Sequence, residues 1–303
     1  MKYSQSNALP GKLLNLAILI YCSFLGAFAQ AEVVGYIELG PKDGLKPIRS
    51  IVDWAGHKFE VAGGDILTVF DWDNTITKRN GINFPRKSVK SLMEYLVQQK
   101  IPSVVLTARY GGSKAPKEKN MKESLTTLSQ DMMDELSALL GGSSKNAFIQ
   151  SPFFNLQQAP KLVEIETAES VFYLMNNIMF AGHKKGEGLI TLLDDKNLNK
   201  NFKPKFIIVM DDVRANLLSI GMSFDSHRPE SVLLVHVYNS ETANRSDNTG
   251  KNIISGLAKY PHGVSLFPSD SSISLETSGA VSAPAVLDDS PNSSDRKRKD
   301  PPQ

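Results

Sequence analysis

Ile66-Leu67-Thr68-Val69-Phe70-Asp71-Trp72-Asp73-Asn74-Thr75 is the stretch whose reading decides the fold. An apolar, β-prone run ends abruptly in two aspartates one residue apart, then Asn and Thr. The run has no alternating polar face, which suits a strand covered on both sides in a parallel sheet. Ligands of open α/β sheets sit at the carboxyl ends of such strands, so Asp71 and Asp73 stand at the mouth of a candidate site. Residues i and i+2 leaving a strand can point the same way, and both carboxylates can then face one reacting group. A simple loop cap is the other reading, because Asp, Asn and Thr all favour turns and helix N-termini.

Working outward, Ser88 to Gln99 carries apolar residues at helical spacing, Pro102 closes it, and Ser103 to Thr107 is a second buried-type strand. Strand, helix and strand make a βαβ unit, so the two strands are expected to be parallel neighbours. Met121 to Leu140 is a long helical pattern stopped by Gly141-Gly142. Ser143 to Asn176 has apolar pieces, Phe148 to Phe154 and Val171 to Met175, but no clear period. Ile178 to Ala181 reads as a third strand, followed by a helix through Leu193. Phe206 to Met210 is a fourth, ending in Asp211 and Asp212, with a helix from Arg214 to Gly221 behind it. Ser231 to Val237 is the fifth. Upstream, Val33 to Leu39 has strand character and Pro47 to Ala55 suits a short helix. Five buried-type strands alternating with helices give an α/β fold class.

The 303 residues carry 34 basic and 32 acidic side chains, a net charge of +2 that makes no case for a nucleic-acid binder. Residues 1–31 read as a secretory signal peptide: Lys2 and Lys12, an almost wholly apolar Leu13 to Phe28, and small residues around Ala29 and Ala31. The apolar run is shorter than the ~20 residues that span hydrocarbon, so no stable membrane anchor is expected after removal of the leader, and the mature chain is expected to be exported, periplasmic or secreted. Cys22, the single cysteine, lies in that leader. The mature chain therefore offers no thiol nucleophile, no Cys-ligated zinc and no disulfide. One globular domain is expected over 32–265. From 266 to 303 the composition turns to Ser, Pro, Asp and Ala with a short basic end, which suits a disordered tail.

Complementary polar residues fall at the strand ends. Asp71 and Asp73 follow the first strand, Thr107 ends the second, Lys185 opens the helix after the third, and Asp211 and Asp212 follow the fourth. Crowded carboxylates repel one another unless a cation sits among them. Oxygen-only ligands suit a hard ion such as Mg²⁺. Thr107, Lys185 and backbone N–H groups are suited to hold an anion beside that metal. Anion, metal and carboxylate in one place point to phosphoryl transfer.

At this point the sequence resembles the haloacid dehalogenase-like phosphohydrolases, the HAD superfamily. The resemblance rests on Phe70-Asp71-Trp72-Asp73-Asn74-Thr75, Val105-Leu106-Thr107, Lys185-Gly186 and Ile208-Val209-Met210-Asp211-Asp212, in that order over roughly residues 64–240. With the leader, it looks like a secreted bacterial branch. The resemblance implies a three-layer Rossmann-like fold around a mainly parallel five-stranded sheet with at most a small cap. It implies Asp71 as nucleophile, Asp73 as general acid and then base, and Thr107 and Lys185 as phosphate ligands. It also implies Mg²⁺ held by Asp71, the backbone carbonyl of Asp73, Asp211 and, directly or through water, Asp212. Asp73 argues for phosphoester hydrolysis, since relatives with other chemistry usually lack it. The expected substrate is a small-molecule phosphoester or a phosphoprotein, because the short interval from Thr75 to Thr107 has no room for a large cap. Residues around 143–176 suit a small lid or an edge hairpin.

Several residues keep a second reading. Thr107 suits a helix N-cap, and Lys184 competes with Lys185. Arg109 suits a substrate contact or a surface salt bridge equally. The histidines lack metal-ligand spacing; His236 lies inside an apolar strand and His183 alone falls near the site. Gly141 to Lys145 lacks the spacing of a nucleotide loop and reads as a helix stop. At the level of function, the alternative is a non-catalytic phospho-ligand or partner-binding protein of the same fold, including a secreted effector.

Overall fold

The computed structural model describes residues 33–79, 83–85, 87–112, 120–139, 162–195, 202–224, 228 and 230–260. The expected leader (1–31), the expected tail (266–303), Phe148 to Phe154 and Gly141 to Lys145 lie outside the described residues. In chain order the elements are β1 (Val33–Leu39), α1 (Ile48–Lys58), β2 (Ile66–Phe70), β3 (Thr77–Arg79), β4 (Asn83–Pro85), α2 (Lys87–Gln98), β5 (Ser103–Thr107) and α3 (Met121–Leu139). There follow β6 (Val163–Glu166), β7 (Val171–Met175), β8 (Ile178–Phe180), α4 (Lys185–Asp194), β9 (Phe206–Asp211), α5 (Arg214–Phe224), β10 (Ser231–Val237), α6 (Ser246–Thr249) and α7 (Lys251–Ala258).

Eight strands form one sheet in the order β1-β10-β9-β2-β5-β8-β7-β6. All pairs from β1 to β8 are parallel. Every residue of β2, β5 and β9 is buried, which is what their unbroken apolar runs require of central parallel strands. Helices cover both faces. Ile48, Ile51 and Val52 of α1, Val89, Leu92 and Leu96 of α2 and Leu125, Met132 and Leu136 of α3 share one core. Leu189 and Leu192 of α4, Leu217 and Ile220 of α5 and Leu257 of α7 share the other. The α/β expectation stands, in three layers.

The expected count of five strands is corrected to eight. β1, whose strand character was legible, adds to the sheet at its edge, beside β10. The other two, β7 and β6, extend the opposite edge antiparallel. β7 is the apolar piece Val171 to Met175, which lacks a period that would make it a strand, and β6 escaped the apolar-run criterion altogether. β6 alternates Val-Glu-Ile-Glu with only Ile165 buried, the pattern of a strand with one wet face. β7 joins β8 through Asn176 and Asn177, with φ of 52° and 62°. Two positive φ values in a two-residue connection make a hairpin turn, and Asn tolerates them best after glycine. Residues 163–180 thus form an antiparallel meander of two hairpins at the sheet edge, in keeping with the edge hairpin expected for part of the excess after Thr107, while 143–161 lie outside the described residues. Among the described residues no helix is long and apolar enough to cross a membrane.

The strand order places the site. From β2 the chain runs outward through β5 to β8, then returns to lay β9 on the other side of β2. The crevice at the carboxyl ends of β2 and β9 is therefore where the sheet reverses direction, the place where open α/β sheets bind ligands.

Candidate functional site

Pleat parity sorts the residues leaving β2. Ile66 and Phe70 face one core, Leu67 and Val69 the other. Trp72 keeps the parity of Phe70 and is fully buried in the same core, a wedge beneath the turn that follows. Asp71 takes the opposite parity, and its N–H donates to the Met210 carbonyl at 2.8 Å, fixing it beside the end of β9.

Asp73 (φ −70°, ψ 122°) and Asn74 (φ 64°, ψ −4°) then occupy the two central positions of a type II turn. The second position demands positive φ, which explains Asn74. The Trp72 carbonyl accepts both the N–H and the hydroxyl of Thr77, closing a wide helical turn over residues 72–76. Because the chain turns at Asp73, its carboxylate does not join that of Asp71. Arg109 holds it instead, Nε donating to Oδ2 at 2.8 Å and Nη2 to Oδ1 at 2.5 Å. Of the two readings open for Arg109, an ion pair is the one observed, with a partner at the site rather than on the distant surface.

Across the crevice, one carboxylate oxygen from each of Asp71, Asp211 and Asp212 lies within 4.8 Å of the others. All three residues are buried. Lys185 reaches them from the first turn of α4, with Nζ donating at 2.6 Å to Asp71 Oδ1 and at 2.6 Å to Asp211 Oδ2. It is 1% exposed. Gly186 permits this approach, since a Cβ there would lie 2.3 Å from Ser223 Oγ and 2.6 Å from the Ser219 carbonyl of α5. Lys184 faces away and pairs with Glu187 at 3.2 Å, so Lys185 alone serves the site.

Asp211 and Asp212 are held by groups that strand-end patterns do not reveal. Asp211 accepts from the Val213 N–H at 2.8 Å and from the Asn216 amide. Asp212 Oδ2 accepts from the Thr242 hydroxyl at 2.9 Å, while its carbonyl accepts from the Asn248 amide at 3.0 Å and contacts His236 Nε2 at 3.1 Å. Arg214 ties this region to β1, donating to Glu38 and to the Asn248 carbonyl. Thr242 and Asn248 lie beyond β10, far along the chain, and a single sequence contains no signal linking them to Asp212. Of the two uncommitted histidines, His236 is buried and His183 exposed.

Thr107, fully buried at the end of β5, accepts the Arg109 N–H on its hydroxyl at 3.2 Å. That is the turn-capping contact, and a hydroxyl that accepts keeps its proton for another partner. Just beyond, Gly111 (φ 80°) passes so close to the next loop that a Cβ would lie 2.3 Å from the Phe180 carbonyl. The loops carrying Arg109 and preceding Lys185 are thereby locked together at the backbone.

The electrostatics follow from burial. Burial, then the charges of Asp211 and Asp212, push the Asp71 carboxyl well above the ordinary carboxylate range, against the pull of Lys185. Burial alone would lower Lys185, but Asp211 and Asp71 outweigh it and keep the ammonium firmly protonated. Burial and then Asp211 raise Asp212 from 3.8 to about 6. With three carboxylates around one ammonium, the fully ionised cluster carries two uncompensated negative charges. An all-oxygen, buried set with that excess fits a hard divalent cation.

The raised Asp212 carries a pH signature. Between pH 3.8 and about 6 the folded protein holds a proton that the unfolded chain has released, so the stability from this group falls as pH rises through that window. The total is roughly 3 kcal/mol. His236, lowered by burial and by Arg214 from 6.5 to about 4, acts oppositely and loses stability as pH falls through the same range. Urea unfolding of Asp212→Asn in EDTA is therefore expected to lose less stability than the parent from about pH 4 to pH 7. Parallel profiles for the two proteins would contradict the raised carboxyl.

No protein-family model, curated protein or solved structure matches this chain significantly.

Proposed function

We propose that this protein is an exported, Mg²⁺-dependent phosphoester hydrolase, working as its resemblance to the HAD phosphohydrolases implies. The observation that carries the reading is Lys185 Nζ at 2.6 Å from both Asp71 and Asp211, inside a buried cluster completed by Asp212 at the reversal of the sheet. A nucleophile, a cation and a divalent-ion site are the parts phosphoryl transfer needs together. Asp71, the Asp73 carbonyl, Asp211 and Asp212 would hold Mg²⁺, which when bound offsets charge on the phosphate oxygens.

Asp71 attacks phosphorus, and the bond from phosphorus to the ester oxygen breaks with its electron pair leaving on that oxygen. Asp73 gives the departing oxygen a proton and is left as carboxylate. It then takes a proton from water, whose oxygen attacks the aspartyl-phosphate and frees Asp71 and inorganic phosphate. Lys185 and the Thr107 hydroxyl hold the phosphoryl oxygens. The substrate class is a small-molecule phosphoester or a phosphoprotein.

The purified protein is expected to release p-nitrophenol from p-nitrophenyl phosphate with Mg²⁺ and not with EDTA. Turnover independent of metal would sink the mechanism. The Arg109–Asp73 pair favours a second reading, a phospho-ligand binding protein without turnover, because both oxygens of the proton carrier are engaged. Saturable phosphate binding with no hydrolysis of any phosphoester tried would favour that reading.

A further inference from the structure

Arg109 and Asp73 make a fork-to-fork pair, the strongest class of side-chain hydrogen bonding. Yet a carboxyl that hands over a proton must first carry it on one of its two oxygens, and an N–H of Arg109 already points at each of them. The guanidinium must therefore move. It cannot simply be set free, since it is 24% exposed and an unpaired, mostly buried charge is costly.

A receiving group stands ready. Glu135 of α3 has its Oε2 buried with no hydrogen-bond partner among the described residues. It lies close enough to Arg109 for each to feel the other's charge, with Asp131 and Asp73 as the other carboxylates acting on it. A buried acceptor left unmade costs on the order of 1–3 kcal/mol. Passing Arg109 from Asp73 to Glu135 would exchange one charge-assisted pair for another and satisfy that oxygen, which offsets the loss of the Asp73 pair. The backbone is locked around the swing: Tyr110 has φ 53°, and Gly111 and Gly112 press against the Phe180 and Ala181 carbonyls. Only the side chain is left to move.

We propose that Arg109 is a latch on Asp73 that opens during turnover by passing its guanidinium to Glu135. The inference rests on the hydrolase reading above and makes Glu135 a positioning residue for its proton-transfer step.

Two esters test it, because they differ in their need for the proton. p-Nitrophenolate leaves unprotonated, whereas the alkoxide of β-glycerophosphate does not. Glu135→Gln removes the receiving charge while keeping the shape. It is expected to lower kcat/KM on β-glycerophosphate roughly 10- to 100-fold, up to the lower end of what general acid catalysis contributes, because Asp73 itself remains. The loss on p-nitrophenyl phosphate is expected to be at least about tenfold smaller, because its first step draws little on the acid. The melting temperature stays the same or rises, and Glu135→Asp recovers part of the lost activity. Equal losses on the two esters, or no loss on either, overturn the latch while the hydrolase stands. A parent protein that hydrolyses neither ester with Mg²⁺ overturns both.

Discussion

Asp71→Asn is expected to abolish turnover, lowering kcat by roughly four orders of magnitude or more on any phosphoester the parent hydrolyses. An amide is too poor a nucleophile to form the aspartyl-phosphate, and no other described carboxylate stands at the same strand end with a lysine on its oxygen. The fold is expected to tolerate the change. Asp71 is buried, and that burial raises its carboxyl, so its charge costs more in the folded protein than in solvent. Asparagine has the same shape without the charge, and Lys185 keeps Asp211 at 2.6 Å. Thermal unfolding in EDTA is therefore expected to match or exceed the parent, while the stabilisation brought by Mg²⁺ shrinks. Full activity in this variant would remove Asp71 from the mechanism.

Lys185→Met is expected to be the most destabilising single change at the site. The ammonium is buried and is the shared partner of Asp71 and Asp211, with Asp212 beside them. Its removal leaves those carboxylates with no counter-charge in a low-dielectric crevice. Breaking a buried pair in this way costs about 3–5 kcal/mol. The sign with pH is fixed: without Lys185 the folded cluster holds protons even more tightly, so the deficit grows as pH rises and shrinks toward pH 5. Divalent cation is expected to restore part of the loss, by about 2.7 kcal/mol at a hundred times its dissociation constant. Urea unfolding at two pH values, with Mg²⁺ and with EDTA, reads all three effects. Lys184→Met is the control. Its side chain is 37% exposed and its ammonium pairs with Glu187 and Glu169, so its loss is expected to cost no more than about 1 kcal/mol. Equal losses from the two lysines would refute the placement of Lys185 as counter-charge.

Much of the architecture was legible because burial on two faces leaves an unmistakable trace. β2, β5, β9 and β10 are nearly continuous apolar runs, and their expected bounds match the structure within a residue. The edges were harder. β6 mixes acid and apolar residues, and the hairpin between β7 and β8 depends on two asparagines whose positive φ leaves only a faint mark in the sequence. Trp72 and Asn74 had no evident purpose until the turn was seen. One fills the core beneath it and the other takes its left-handed position.

The sequence by itself determined the ordered set of Asp71, Thr107, Lys185, Asp211 and Asp212, because each ends a strand or opens a helix and such positions converge in a parallel sheet. Tertiary structure alone decided who touches whom. The reversal at β2 and β9 put Lys185 between Asp71 and Asp211. The type II turn sent Asp73 to Arg109 and away from the acidic cluster. Thr242 and Asn248 came to Asp212 from beyond β10. Spacing along a chain reports which side a residue faces within its own element. Pairing between elements depends on crossing, turn geometry and close backbone approach, and these exist only once the layers have packed.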